Sequence, residues 1–125
     1  MNINAKNIPL WITIFSIILG LYCTATGVVG LFDPTSVANY SAGADNLAVA
    51  WAGRMAATGI VLLLAVYFKS ATAYTVALAA SIFRELGDAL AALSGTAEGF
   101  PVAVVFIVLL IDAVAFVLSW RAINE

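Results

Sequence analysis

Four apolar blocks, at 8–31, 47–68, 72–93 and 101–120, take up most of a 125-residue chain. Each is about 20–24 residues long, and at about 1.5 Å per residue a helix of that length crosses a hydrocarbon core of about 30 Å. In lipid, a helix is the form that satisfies every backbone group within one such segment. Short polar breaks separate the blocks. Pro9 opens the first and Asp33-Pro34 closes it, the loop 32–46 precedes the second, and Lys69-Ser70 divides the second from the third. The turn at 94–99 leads to Pro101, placed at the first helical position of the last block, where its missing N–H costs nothing. The expected fold is an all-α integral membrane protein, an antiparallel bundle of four transmembrane helices forming one domain over 1–125.

Composition supports lipid as the solvent and removes several chemistries. Hydrophobic residues make up 64% and charged residues 10%, against about 25% charged in ordinary globular chains. A soluble domain cannot build its exterior from so few charges. The net charge of −2 with no basic run offers nothing to nucleic acid. Histidine is absent, which excludes bis-His haem, the usual zinc sites and any Ser-His or Cys-His nucleophile pair, and no metal site is expected. Cys23 is the sole cysteine, so neither an intrachain disulfide nor a CxxC redox pair can form.

The third block carries Arg84, Glu85 and Asp88, and on insertion scales such a segment is unfavourable by itself. A helix lying on the membrane surface is the rival reading. Loop charges choose between the two. With four spans, Lys6, Lys69 and Arg121 share one side, and Asp33, Asp45 and Glu98 share the other. That separation follows the positive-inside rule and puts both termini in the cytoplasm; the membrane expected is a bacterial-type inner (plasma) membrane. If the third block did not cross, Arg121 would move to the far side. Trp11, Tyr67, Phe68, Tyr74 and Trp120 form an aromatic belt at the cytoplasmic interface, and Phe32, Trp51 and Phe100 form one at the outer interface. The first block is longer than the 7–15-residue core of a secretory signal, so it is read as a span rather than a cleaved leader.

Helix direction converts residue number into depth. Arg54 falls about 10 Å below the outer edge, Arg84 and Glu85 about 12–14 Å, Asp88 about 8 Å, Asp112 about 16 Å and Tyr22 about 14 Å. One layer therefore collects them all. Ser81, Arg84, Glu85 and Asp88 follow the i, i+3, i+4, i+7 pattern of one helix face, and Arg54 and Thr58 share another. The expected site is this cluster of Arg54, Arg84, Glu85, Asp88, Asp112, Tyr22, Thr58 and Ser81, with each arginine paired to a carboxylate. Two cations against three carboxylates leave one negative charge over. Asp112, alone on its helix, is the candidate to take a proton or hold a cation. The same network could serve only to hold helices in register. Gly20, Gly27, Gly30, Gly53 and Gly59 are expected to let helices approach closely.

Gly53-Arg54 followed by Gly59, the run Phe83-Arg84-Glu85-Leu86-Gly87-Asp88 and the four-span length resemble the DoxX-like group and related small four-helix bacterial membrane proteins of unknown function. Some members of that group are associated with quinone-linked oxidoreductases, so the resemblance implies a quinone, a lipid or a respiratory partner. No catalytic residues carry over. Three functions compete. The first is a protein that binds a small amphipathic ligand, lipid or quinone-like, or serves as accessory subunit of a membrane complex. The second is a proton-coupled carrier working as an oligomer, and the third an enzyme using Glu85 or Asp88 as acid-base. The expected partners are membrane lipid and either a second copy of the chain or another membrane protein.

Overall fold

The computed structural model describes residues 7–33, 45–94 and 102–125, with side chains of the second helix described from Val49 onward. Lys6, the loop 34–44, the Asp45 side chain and the segment 95–101, including Glu98, Phe100 and Pro101, lie outside the described residues. The fold is all-helical: α1 (Leu10–Phe32), α2 (Asp45–Phe68), α3 (Ala71–Leu93) and α4 (Val102–Asn124). Three stretches, Leu10–Phe32, Val49–Phe68 and Val102–Asn124, are long and apolar enough to cross a membrane. α3 is as long as α1 and α4 but carries Arg84, Glu85 and Asp88.

The helix ends follow local chemistry. Pro9, extended at φ −56° and ψ 137°, precedes α1, and the Asp33 N–H closes it on Val29 O at 2.8 Å. α2 ends where Lys69 turns left-handed at φ 48°, its N–H donating to Ala65 O at 3.1 Å. Ser70 then caps α3, accepting from Ala73 N at 3.4 Å. A lysine in the left-handed region is strained where a glycine would not be. Lys69→Gly is expected to raise stability by about 1 kcal/mol, read as a higher unfolding midpoint in micelles; an unchanged or lower midpoint would show that the turn holds no such strain.

α1 and α2 make the most extensive interface, built on glycine. A Cβ on Gly27 would lie 2.7 Å from Ala52 O and from Ala56 Cα, and one on Gly59 would lie 2.6 Å from Gly20 O. The backbones therefore touch, and the pairing of Gly20 with Gly59 and Gly27 with Ala56 shows the two helices antiparallel. Gly53 differs, since nothing lies within 4 Å of its missing side chain. It does not serve close approach, because it sits on the flank of α2 turned from α1.

α3 returns antiparallel to α2, joined by the Lys69–Ser70 turn and, near the far end, by Arg54 to Asp88. α3 and α4 meet mid-length through Ser81 and Asp112. The steps from Leu93 to Val102 span at most about 32 Å, short of the roughly 34 Å length of α3, so α4 runs back beside α3. The interface of α2 with α3 is the smallest of the three between consecutive helices. Ile12, Leu19, Cys23, Met55, Leu62, Leu78 and Ala115 lie in the core.

Two aromatic residues depart from the belt expected of them. Trp51 and Tyr74 are buried, and the Tyr74 hydroxyl shares a 3.0 Å hydrogen bond with Thr13 on α1. Both sit on the inward stripe of their helices, and depth along the axis does not set that rotation. Trp11, Phe32, Tyr67, Phe68 and Trp120 face outward.

Candidate functional site

Periodicity on α3 creates the site. Tyr74, Leu78, Ser81, Arg84, Glu85 and Asp88 recur at helical spacing and all are buried. Burying three charges on one stripe requires partners, because an isolated ion in an apolar medium is costly. The helix supplies some of them itself. Arg84 Nη2 pairs with its neighbour Glu85, and Arg84 Nη1 reaches Asp88 Oδ2, one turn on, at 3.3 Å.

α2 completes the arrangement. Arg54 Nη2 donates to Asp88 Oδ1 at 3.0 Å, and the buried Trp51 indole lies against the same carboxylate. Met55 Sδ accepts from Arg84 Nη1 at 2.9 Å. The result is an alternating chain, Glu85–Arg84–Asp88–Arg54, in which two cations balance two carboxylates. Thr58 is buried beside it, but its hydroxyl donates to the Arg54 carbonyl at 2.8 Å, closing a turn of its own helix.

Asp112 stands apart from this chain. It is fully buried on α4 and accepts from Ser81 Oγ at 2.5 Å through Oδ2. Its other oxygen, Oδ1, has no partner among the described residues.

The two arginines are not equivalent. The Arg84 side chain is 6% exposed and both its terminal nitrogens are engaged. The Arg54 side chain is 49% exposed. It crosses Gly87, where an added Cβ would meet Nη1 at 3.0 Å, and so presents one edge of its guanidinium outward. Along the same flank, nearer the α2–α3 turn, lies an open apolar groove of about 500 Å³ lined by Val61, Leu64, Phe68, Ala73 and Val76, among others. Val61 and Phe68 are two and four turns from Arg54 on the same face of α2, about 10 and 21 Å away along the axis.

Tyr22 does not join the cluster. It is 61% exposed, because the inward face of α1 is Ile12, Ser16, Leu19, Gly20, Cys23 and Gly27, and Tyr22 falls about 100° off that stripe. Cys23, one residue on, is the buried residue of that stripe instead, within electrostatic reach of Arg84, Glu85, Asp88 and Asp112. Cys23, Trp51 and Met55 are site residues that depth alone did not single out. The signal for Cys23 was available in the glycine spacing of α1, since the seven-residue step from Gly20 to Gly27 marks the packed face.

The site holds polar donors and acceptors but no metal set: among the described residues no group of three or more Cys, Asp or Glu could hold an ion. What the arrangement offers chemically is a part-exposed guanidinium donor backed by a buried carboxylate. Compared with protein families, curated proteins and solved structures, the chain matches none of them.

Proposed function

We propose that the protein is an integral membrane protein of four spans that binds a small amphipathic ligand, with the polar head on Arg54 and the apolar chain in the α2–α3 groove. The observation that carries this reading is Arg54 itself. A half-exposed guanidinium, anchored on buried Asp88, lies on the same face of α2 as an apolar groove that begins about 10 Å further along the helix at Val61. Where the surroundings are hydrocarbon, the open edge of that cation calls for an acceptor, such as a lipid phosphate, a carboxylate or a quinone carbonyl.

Membrane insertion of α3 is supported by the direction of its faces. A surface helix turns its charges to water and its apolar side to lipid. In α3 the charged stripe is buried in protein while Val76, Phe83, Leu86, Leu90 and Leu93 are exposed. That polarity suits a helix crossing lipid with its charges inward. Lys69 and Arg121, at the ends shared by the α2–α3 turn and the α4 C-terminus, support assigning that side to the cytoplasm. The DoxX-like resemblance of Gly53-Arg54 and of 83–88 supports a quinone-like head and an inner-membrane setting, with service as an accessory subunit of a membrane complex included.

Arg84 contributes no ligand contact in this reading, because its two terminal nitrogens are engaged by Glu85, Asp88 and Met55 and its Nε is buried. Native mass spectrometry of the gently solubilised protein is expected to show a retained amphiphile. Arg54→Gln should weaken its retention by about 10–100-fold, the worth of one or two charge-assisted hydrogen bonds. Val76→Trp, which fills the groove without touching Arg54, should weaken it as well. Retention as strong in both variants as in the unmodified protein would refute the site.

A further inference from the structure

Asp112 has no part in the binding site, and its surroundings point to a second role. Ser16 Oγ, Ser119 Oγ, Asp112 Oδ1 and Arg84 Nε are buried, and none has a hydrogen-bond partner among the described residues. Buried polar atoms in folded proteins are almost always satisfied, by protein or by internal water. These four are not scattered. Ser16 and Cys23 on α1, Tyr74, Ser81 and Asp88 on α3, and Asp112 and Ser119 on α4 are each spaced by seven residues, two helical turns, and all are buried.

Helix rise puts them in order. With the Thr13–Tyr74 hydrogen bond as origin, Ser119 lies at about the same level and Ser16 about 4–5 Å further in. Ser81 and Asp112 follow at about 10 Å, and Arg84 at about 15 Å. Along the helix axes successive levels are separated by no more than about 6 Å, an axial step that one or two waters bridge at ordinary hydrogen-bond spacing. The buried positions between the polar levels on α3 and α4 are held in part by small residues, Ala77 and Ala115. Thr13, at the origin, is only partly buried.

We infer that these groups line a file of internal water that opens at the Thr13–Tyr74 end and stops at Asp112, giving this carboxylate proton exchange with one side of the molecule. A hydronium in the file transfers its proton to Asp112 Oδ1 and becomes water; the reverse step returns it. Beyond Asp112 the path meets Arg84, whose guanidinium is locked between Glu85 and Asp88 and closes the far end. The path is therefore a half-channel and not a pore. Ser81 touches Asp112, the charged and titratable groups within electrostatic reach of it are Arg84 and Glu85 from α3 and Cys23 from α1, and α2 brings Arg54, which is held by Asp88.

Two measurements on the full chain in lipid vesicles test this. Hydroxyl-radical footprinting of the unmodified protein should oxidise buried Tyr74 at a rate within about tenfold of exposed Tyr67, because ordered water delivers the radical. Labelling of Tyr74 as slight as that of the dry core residues Leu62 and Leu78 would overturn the file. Infrared spectroscopy, at a pH acid enough to protonate the carboxyl, should show the band lost in Asp112→Asn exchanging its proton for deuterium within seconds. Ser119→Val, which plugs the file, should slow that exchange at least about tenfold while leaving ligand retention at Arg54 unchanged. Exchange in the unmodified protein as slow as that of core amides would overturn proton access, whatever the fate of the variant.

Discussion

Asp88→Leu is expected to destabilise the fold by about 3–5 kcal/mol, the cost of stripping one partner from a buried ion network. Asp88 is the carboxylate shared by both arginines, at 3.0 Å from Arg54 and 3.3 Å from Arg84. Its loss leaves the buried Arg84 with Glu85 alone and removes the anchor of Arg54. The effect should be largely reversed in the double variant Arg54→Leu/Asp88→Leu, which keeps Arg84 and Glu85 as a neutral pair. Unfolding midpoints of the two single variants and the double one in mixed micelles form the cycle that measures this coupling. If Asp88→Leu unfolds at the same midpoint as the unmodified chain, the network does not hold α2 to α3. If the double variant keeps its fold and growth but no longer retains ligand, the charges serve recognition and not only architecture.

Gly27→Leu should be nearly as damaging, for a reason that involves no charge. The first carbon of any side chain there would sit 2.7 Å from the Ala52 carbonyl and the Ala56 Cα, both backbone atoms that cannot rotate aside. Relief requires α1 and α2 to separate, and overpacking of this kind costs about 1–3 kcal/mol even where flexible side chains can adjust. With backbone as the obstacle, the upper end of that range is expected. Gly53→Leu is the control, because its flank is empty within 4 Å. Thermal unfolding should separate the two variants clearly; equal midpoints would mean that the α1–α2 contact is looser than its geometry implies.

Much of the fold was legible because hydrophobic length and turn chemistry are local. The block at 72–93 became Ala71–Leu93, and that at 8–31 became Leu10–Phe32. The last helix runs on to Asn124, past the end expected near Trp120, since Arg121 at its C-terminus suits the helix dipole and did not need to break it. On α3, spacing alone aligned Ser81, Arg84, Glu85 and Asp88, because a stripe of polar residues in an apolar helix has one sensible direction. Azimuth elsewhere was harder. Tyr22 and Cys23 share a depth, and only the glycine contacts of α1 with α2 decide which one turns inward. Trp51 and Tyr74 read as interface anchors by their height, yet each had a polar partner available inside, Asp88 and Thr13. The unequal exposure of Arg54 and Arg84 was not legible at all. It depends on Gly87, which leaves room for one guanidinium to lie across α3, and on the helical turn that tucks the other beneath it.

The pairing of Arg84 with Glu85 and Asp88 has a consequence for how the chain reaches its place. In the proposed topology α3 carries its own counterion, but only once it is coiled, since winding brings residues four apart together. Coiling reduces the segment to a single uncompensated negative charge. The complementary charge, Arg54, belongs to the helix made just before it and is joined through a turn of two residues. α2 and α3 can therefore enter lipid as one electrically neutral hairpin, so that a helix too polar to insert by itself is never required to do so.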